Sequence, residues 1–403
     1  DESASIPNMK QEEFMAHCDS LKKNLTSVSL LPLADSVMYS YSAYMLTTLE
    51  LEDVLLSDFI DSRTWYFERL QPKFNRLRYD IDNLSAGMYN DLKKNSLTFQ
   101  RGFYRSIIPG IVAGIAFVIQ AMTQPGDAIL VTTPVYPPFL NLPQSVHRPI
   151  VSSPLKVVDG RFTIDFEDLE ECAKQCSLMI LSNPHNPGGT VWGAETLSRI
   201  ADICYRHNVS VIADEIHADL TLPGYRHTSY STVSDAAKNH SLTFIAPSKT
   251  FNIAGLASSI VYVPNDDLRK RFFGYLDGYE VANGNIFAFV GAEAAFRYGE
   301  DWLRQMLDYL QGNVDFLAHF LRQHLPQIQA VLPQASYLPW LDFSHFGLSH
   351  QETRSRLINQ ARVALNDGTS FGGDAYQNCF RLNLGCPRST LQEALSRIES
   401  AFC

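Results

Sequence analysis

Val209-Ser210-Val211-Ile212-Ala213-Asp214-Glu215-Ile216-His217 is the stretch on which the fold turns. Val209–Ala213 is a short, mostly apolar, β-rich run, as expected of a strand. It ends abruptly in two carboxylates. Ahead of it, Ala194–Arg206 places Leu197, Ile200, Ala201 and Cys204 on one face of a helix. Behind it, Leu242–Ile245 reads as the next strand. The same alternation extends outward to strands at Ala128–Thr132, Ser177–Ser182 and Ser258–Val263. Strands alternating with helices indicate βαβ units, hence an α/β fold with a mainly parallel sheet. Ligands bind such sheets beyond the carboxyl ends of the strands, where several of these strands become polar.

The character changes after Asn285. Phe287–Leu325 predicts two long helices, Ser336–Phe343 and Cys379–Leu384 predict strands, and Thr390–Phe402 predicts a closing helix. This is a second, α+β domain. The first 106 residues hold only Gly87 and Gly102 of the 22 glycines and read as mostly helical. The expected division is residues 1–50 with the small domain, 51–288 as the large domain and 289–403 as the small C-terminal domain.

Hydrophobic residues make up 45% of the 403 and charged residues 19%, an ordinary globular balance. A net charge of −10 without a basic run argues against nucleic acid as a partner. The apolar stretch from Ile107 to Met122 is interrupted by Pro109, Gly110, Gly114 and Gln120 and is too short to span a membrane. Neither a signal peptide nor metal-like Cys/His spacing is evident. The seven cysteines are scattered without CxxC pairs, as expected of reduced, mostly buried thiols in a cytoplasmic protein.

Five segments carry candidate chemistry. Lys249, in Ala246-Pro247-Ser248-Lys249-Thr250-Phe251-Asn252-Ile253-Ala254-Gly255-Leu256, follows a strand and is expected in apolar surroundings as an amine nucleophile or base. Ser248 beside it could donate to a phosphate. Taken alone, a solvated surface lysine explains Lys249 better. Asp214 ends its strand where a carboxylate could pair with a cationic ring nitrogen, although a helix N-cap explains it equally well. His217 lies one helical turn further on and can face the same ligand. By itself it reads better as a structural histidine.

In Ser182-Asn183-Pro184-His185-Asn186-Pro187-Gly188-Gly189, two prolines and two glycines shape a turn from which Asn186 could offer its amide. Pro109-Gly110-Ile111-Val112-Ala113-Gly114-Ile115 opens an apolar helix whose N-terminal N–H groups suit a phosphate, with Gly110 allowing close approach. Tyr136, between prolines in Thr133-Pro134-Val135-Tyr136-Pro137-Pro138-Phe139, could stack on a flat ring or simply sit in the core. Arg381, in Phe380-Arg381-Leu382-Asn383-Leu384-Gly385-Cys386-Pro387-Arg388, suits a bidentate grip on a carboxylate, or a structural ion pair.

Together these segments resemble the fold-type-I pyridoxal-phosphate (PLP) enzymes, and within them the MalY/PatB-like cystathionine β-lyases, or carbon–sulfur lyases. The resemblance runs from about Ile107 to the C-terminus. It is carried by Thr133–Phe139, Asn183–Trp192, Asp214–Leu220, Ala246–Leu256, Tyr337–Phe343 and Arg381–Arg388. It implies a large domain with a mainly parallel seven-stranded sheet plus a smaller α+β domain. It further implies that Lys249 carries PLP as a Schiff base, that Asp214 pairs with the pyridine nitrogen, and that Tyr136 stacks on the ring as a third catalytic residue. Asn186 and His217 would sit near the phenolic oxygen. Ile111, Val112 and Ser248 would hold the phosphate. Asn183 and Arg381 would hold the amino-acid substrate, Arg381 through its α-carboxylate.

The family works as a homodimer, with a tyrosine crossing to the neighbouring subunit's cofactor; counting back from Gly110, Tyr79 falls near that place. The first 106 residues depart from the family pattern, with only Leu31-Pro32-Leu33-Ala34-Asp35 echoing its usual start. The implied reaction is α,β-elimination from L-cystathionine or another L-cysteine S-conjugate, giving a thiol, pyruvate and ammonia. An aminotransferase would use the same lysine and aspartate. A specialised biosynthetic enzyme on this scaffold and a PLP-binding regulatory protein are further alternatives.

Overall fold

The structure, a computed structural model, describes residues 30–55, 66–100, 105–282 and 286–403. The chain forms two compact units, Asp1–Phe103 and Tyr104–Cys403. In the first, helix α1 (Leu31–Leu55) packs against helix α2 (Gln71–Gln100), which is preceded by a π-helical turn at Tyr66–Leu70. Ala34 and Val37 on α1 meet Leu77 and Leu84 on α2, spacings of three and seven residues that keep one face of each helix apolar. Beside this seam Asp80 is buried and accepts from the Ser40 hydroxyl and from Arg76 Nε at 2.9 Å. The domain boundary expected at residue 50 falls inside α1.

The second unit is built on a seven-stranded sheet. Its strands are β1 (Arg105–Pro109), β2 (Ala128–Thr133), β3 (Ile150–Pro154), β6 (Cys176–Ser182), β7 (Ser210–Asp214), β8 (Ser241–Ile245) and β9 (Ser258–Tyr262). The hairpin β4 (Lys156–Val158) and β5 (Arg161–Thr163) lies outside it. The spatial order is β1-β9-β8-β7-β6-β2-β3, and only β9 runs against the others. All five strands read from the sequence are present. The additional strands β1 and β3 complete the sheet at its two edges. Edge strands need only one apolar face, and β3 contains Ser152, Ser153 and Pro154, so no apolar run marks it.

Alternation along the central strands divides the core in two. Ile129 and Val131 of β2, Leu178 and Ile180 of β6 and Ile212 of β7 join helix α3 (Ile111–Met122) and Phe272 and Leu276 of helix α4 (Asp266–Gly278). Leu130, Met179, Leu181, Val211 and Ala213 face the other way, onto Leu197, Ile200 and Cys204 of the helix Ala194–Arg206, which has the bounds read from the sequence. Burial on both faces accounts for the continuous apolar runs. The same period of two sends Asp214 to the α3 side and Glu215 to the opposite side.

Residues after 285 form the helices Ile286–Tyr298 and Glu300–His324, a four-stranded antiparallel sheet and the final helix Arg388–Phe402. The sheet order is β10 (Gln329–Val331), β11 (Trp340–Asp342), β13 (Cys379–Arg381) and β12 (Asn366–Asp367). No helix among the described residues is long and apolar enough to cross a membrane. The six described cysteines are free; Cys176 and Cys204 are buried, Cys172, Cys379 and Cys386 are half-buried, and Cys403 is exposed.

Gly189 ties the two sheet systems together. Its carbonyl accepts from the N–H groups of Gln334 and Ala335, both at 3.0 Å, and its own N–H donates to His185 O at 2.9 Å. Its φ is +63°, and a Cβ would stand 2.1 Å from the Ala335 carbonyl oxygen and 2.6 Å from Pro333 Cβ. Gly189→Ala is therefore expected to destabilise the protein by about 2–4 kcal/mol, from the left-handed backbone plus overpacking against rigid neighbours. Urea denaturation checks this; an unchanged midpoint would mean that the 333–335 segment yields.

Candidate active site

The sheet's carboxyl edge gathers most of the residues singled out in the sequence. Asp214 closes β7, and its backbone carbonyl accepts from Asn183 N–H at 2.9 Å, so the turn after β6 is hydrogen-bonded to the end of β7. The Asp214 carboxyl is buried and accepts from Ile216 N–H at 3.1 Å. Burial pushes it up to about 7, opposed by that N–H and by the Lys249 ammonium and aided by the charge of Glu215. The result is a buried acid with no cation hydrogen-bonded to it among the described residues.

Glu215 is also buried but differently furnished. One oxygen accepts from Asn183 Nδ2 at 3.1 Å and Tyr230 N–H at 2.7 Å, and the other meets His227 Nε2 at 3.1 Å. Asn183 Nδ2 also donates to the Thr228 carbonyl at 2.9 Å. With both amide hydrogens committed, the buried Oδ1 of Asn183 has no hydrogen-bond partner among the described residues. His217 is buried too, its Nδ1 unpartnered. Burial first, and then the positive charges of Lys249 and Arg381, push its imidazole down to about 3, so it is neutral near pH 7.

Lys249 lies on a single helical turn, Pro247–Thr250, directly after β8. Pro247 and Thr250 occupy its buried side while Lys249 points outward and is exposed. This corrects the apolar setting expected of it: three-residue spacing puts positions 247 and 250 on one face, leaving 249 off it. Ser248 is half-buried. The segment continues to Ala257, which has φ 48°, and its Cα lies 4.0 Å from where a Cβ on Gly110 would stand. The lysine segment thus runs close to the start of α3. There Gly110 caps the helix with φ 60° and Gly114 N–H donates back to its carbonyl at 3.0 Å. Ile111 is buried and Val112 is 40% exposed on this first turn.

Arg381 ends β13. Its Nη1 donates to Asn186 Oδ1 at 2.9 Å, and its Nε and Nη2 donate to Asn366 Oδ1 at 3.2 and 2.9 Å. The Phe371 ring lies 4.9 Å from its Cζ. Its hydrogen-bond partners are thus neutral amide oxygens. Tyr136 is half-buried, edge-on to Phe139 with centroids 5.6 Å apart. The loop that bears it is pinned by His185 Nε2 at 2.8 Å from the Pro134 carbonyl and by Val135 N–H donating to Phe371 O at 2.8 Å. Tyr79 belongs to the other unit, exposed on α2 with the Arg76 guanidinium 5.8 Å from its ring.

Two contributors went unassigned in the sequence. Glu215 lies inside the Asp-Glu-Ile-His motif, yet its partners at 183, 227 and 230 are distant in sequence. Asn366 reaches Arg381 only through strand pairing. A buried acid, a neutral imidazole, an outward lysine and an arginine with amide partners can hold an aromatic cation and an amino acid, and can move a proton between them. Among the described residues no group of three or more His, Cys, Asp or Glu could hold a metal ion.

Comparison with known proteins agrees with this chemistry. Residues 83–398 match the family described as aminotransferase class I and II. The chain is 41% identical over 296 residues to cystathionine β-lyase PatB of Bacillus subtilis, covering 73% of this chain and 76% of that one. It is 30% identical over 298 residues to protein MalY of Escherichia coli, covering 73% and 75%. The solved PLP-bound C–S lyase from Staphylococcus hominis superposes with a TM-score of 0.69 at 31% identity, covering 74% of this chain and 78% of that one. The chain belongs to the aminotransferase class I and II family, and within it to the PLP-dependent group of the PatB- and MalY-like cystathionine β-lyases.

Proposed function

We propose that the protein is a PLP-dependent carbon–sulfur β-lyase acting by α,β-elimination on L-cystathionine or another L-cysteine S-conjugate, releasing a thiol, pyruvate and ammonia. The observation that carries this reading is the pairing of two features, one from each sheet, with Arg381 bonded to Asn186 on the turn after β6. One is a buried carboxyl at Asp214 whose hydrogen-bond partner among the described residues is a backbone N–H. The other is a guanidinium at Arg381 held by neutral oxygens.

The residues fit PLP. A protonated pyridine nitrogen is the counter-charge that would hold Asp214 ionised, and the first turn of α3 with Ser248 offers donors for a phosphate. When bound, PLP supplies the electron sink for the electrons left at the substrate's Cα. Asp214 keeps a proton shared at the ring nitrogen. Lys249 Nζ holds the cofactor at rest and then takes the Cα proton as general base; its outward position leaves it free to swing between the two tasks. Asn186 Nδ2 and His217 would serve the phenolic oxygen, Tyr136 would cover the ring, and Asn183 would help hold the substrate. Arg381 holds the α-carboxylate and so fixes which Cα bond is presented.

The same reading includes a homodimer in the cytoplasm, with Tyr79 reaching the partner's cofactor. Exposed Phe287, Tyr298 and Trp302 on the helices after residue 285 support a subunit contact, and the free cysteines suit a reducing compartment. The large and small domains would divide at residue 288, supported by the location of the two sheets on either side of it.

With L-cystathionine or L-cysteine and no keto acid, the holoenzyme is expected to release pyruvate and free thiol together. Keto-acid-dependent turnover without pyruvate would instead make it an aminotransferase. Lys249→Ala should lower turnover by at least about a thousandfold, the scale of a lost general base and covalent anchor. Retained lyase activity in that variant would overturn the assignment.

Asp214 gives a second, independent test on cofactor-free protein. Its folded pKa of about 7 lies above the ordinary 3.8. Between those values the native state holds a proton that the unfolded state has lost. Stability is therefore greatest below about pH 4 for this group and falls as pH rises through 7, by up to about 4 kcal/mol. Asp214→Asn should flatten this dependence and stabilise the cofactor-free chain at pH 8, while weakening PLP binding. Urea midpoints at pH 5 and pH 8 for both proteins check it, and parallel curves would refute it.

A further inference from the structure

We infer that Asn366 is a positioning residue for Arg381, one that leaves a particular edge of the guanidinium, with its full charge, to a substrate carboxylate. The inference rests on the reading of Arg381 as the carboxylate-binding residue. β12 pairs antiparallel with β13, and in that register Asn366 stands directly opposite Arg381 while Asp367 stands opposite Phe380. Directly opposed residues share a face of the sheet and adjoin each other.

A guanidinium has five N–H donors in a fixed plane. Asn366 Oδ1 bridges Nε at 3.2 Å and Nη2 at 2.9 Å, occupying the side edge. Asn186 Oδ1 takes one Nη1 hydrogen at 2.9 Å. Two donors remain, one on Nη1 and one on Nη2, and with the side edge taken the Nη2 donor lies on the end of the fork. Phe371 supports the plane from one face, with its centroid 4.9 Å from Cζ. With the side edge occupied by Asn366, a carboxylate can meet Arg381 through two parallel bonds only at its end, on Nη1 and Nη2.

The choice of an amide at 366 matters because a carboxylate there would make the same two bonds and neutralise the charge. A carboxylate lies one residue away. Asp367 is directed to the other face, where one oxygen pairs with His350 Nε2 at 3.1 Å and Arg354 Nε at 3.2 Å. The other accepts from Thr369 N–H at 3.0 Å and Thr369 Oγ1 at 2.8 Å. A slip of one residue in this pairing would set Asp367 against Arg381. The register thus keeps the acid away from the arginine and the amide beside it.

The test uses holoenzyme and two ligands that cannot undergo elimination, L-alanine and L-alaninamide, each titrated through the cofactor's absorbance. The ratio of their dissociation constants measures discrimination for the carboxylate alone. Asn366→Ala should lower that ratio about tenfold, as the guanidinium loses its side-edge anchor. Asn366→Asp should lower it further, about a hundredfold, by competing for the charge. A purely structural role predicts the reverse order, because aspartate is nearly isosteric with asparagine. An Asn366→Asp protein that discriminates like the parent would therefore overturn the inference. Arg381→Lys separates the two levels of argument: undiminished discrimination there would remove the carboxylate role of Arg381 itself. Lost discrimination there with an unaffected Asn366→Asp protein would remove only the positioning role.

Discussion

Glu215 buries a carboxylate and satisfies it from three separate places: the amide of Asn183, the backbone N–H of Tyr230 and the ring of His227. An unpaired buried charge would cost several kcal/mol, so these bonds must form together for the sheet edge to close. Their formation fixes the turn after β6 and the 227–230 loop to the end of β7. It also fixes the orientation of Asn183, because two acceptors claim both its amide hydrogens. The adjacent Asp214, one residue earlier and thus on the opposite side of the strand, receives one backbone N–H. The strand's two-residue period separates a carboxylate spent on structure from the one on which the proposed chemistry relies.

The central fold was legible because burial on both faces leaves little choice of residue. Continuous apolar runs at 128–132, 177–182 and 209–213 became strands with nearly the bounds expected, and the helix at 194–206 matched its periodicity. Edge strands escaped notice for the converse reason: β3, with its serines and proline, meets the core too little to show a pattern. Lys249 and Asp214 were singled out because each follows an apolar strand that turns polar, Asn186 because it lies in a turn of two prolines and two glycines, and Arg381 because it interrupts an alternating strand. Their supports were not. The bonds from Asn366 to Arg381 and from Glu215 to residues 183, 227 and 230 join places far apart in sequence, and only the folded register brings them together. Lys249's outward position likewise depends on which side of one helical turn the neighbouring Pro247 and Thr250 bury.

The two charges central to the proposed chemistry share a feature that stability alone does not favour. Asp214 is hydrogen-bonded to a backbone N–H, and Arg381 to two asparagine oxygens. Pairing each with an opposite charge from the same chain would offset its desolvation, and other acids of this protein do find such partners, as Asp367 does with His350 and Arg354. Withholding them leaves Asp214 raised toward neutral pH and leaves Arg381 fully charged, so each retains free energy that an outside group can claim. In the proposed function an amino acid would bring the carboxylate, and a protonated pyridine nitrogen the cation. Asn186 stands at the junction, its oxygen committed to Arg381 and its nitrogen therefore turned away as a donor. The amides thus hold the guanidinium in place without discharging it, which is what the proposed binding of a substrate carboxylate requires.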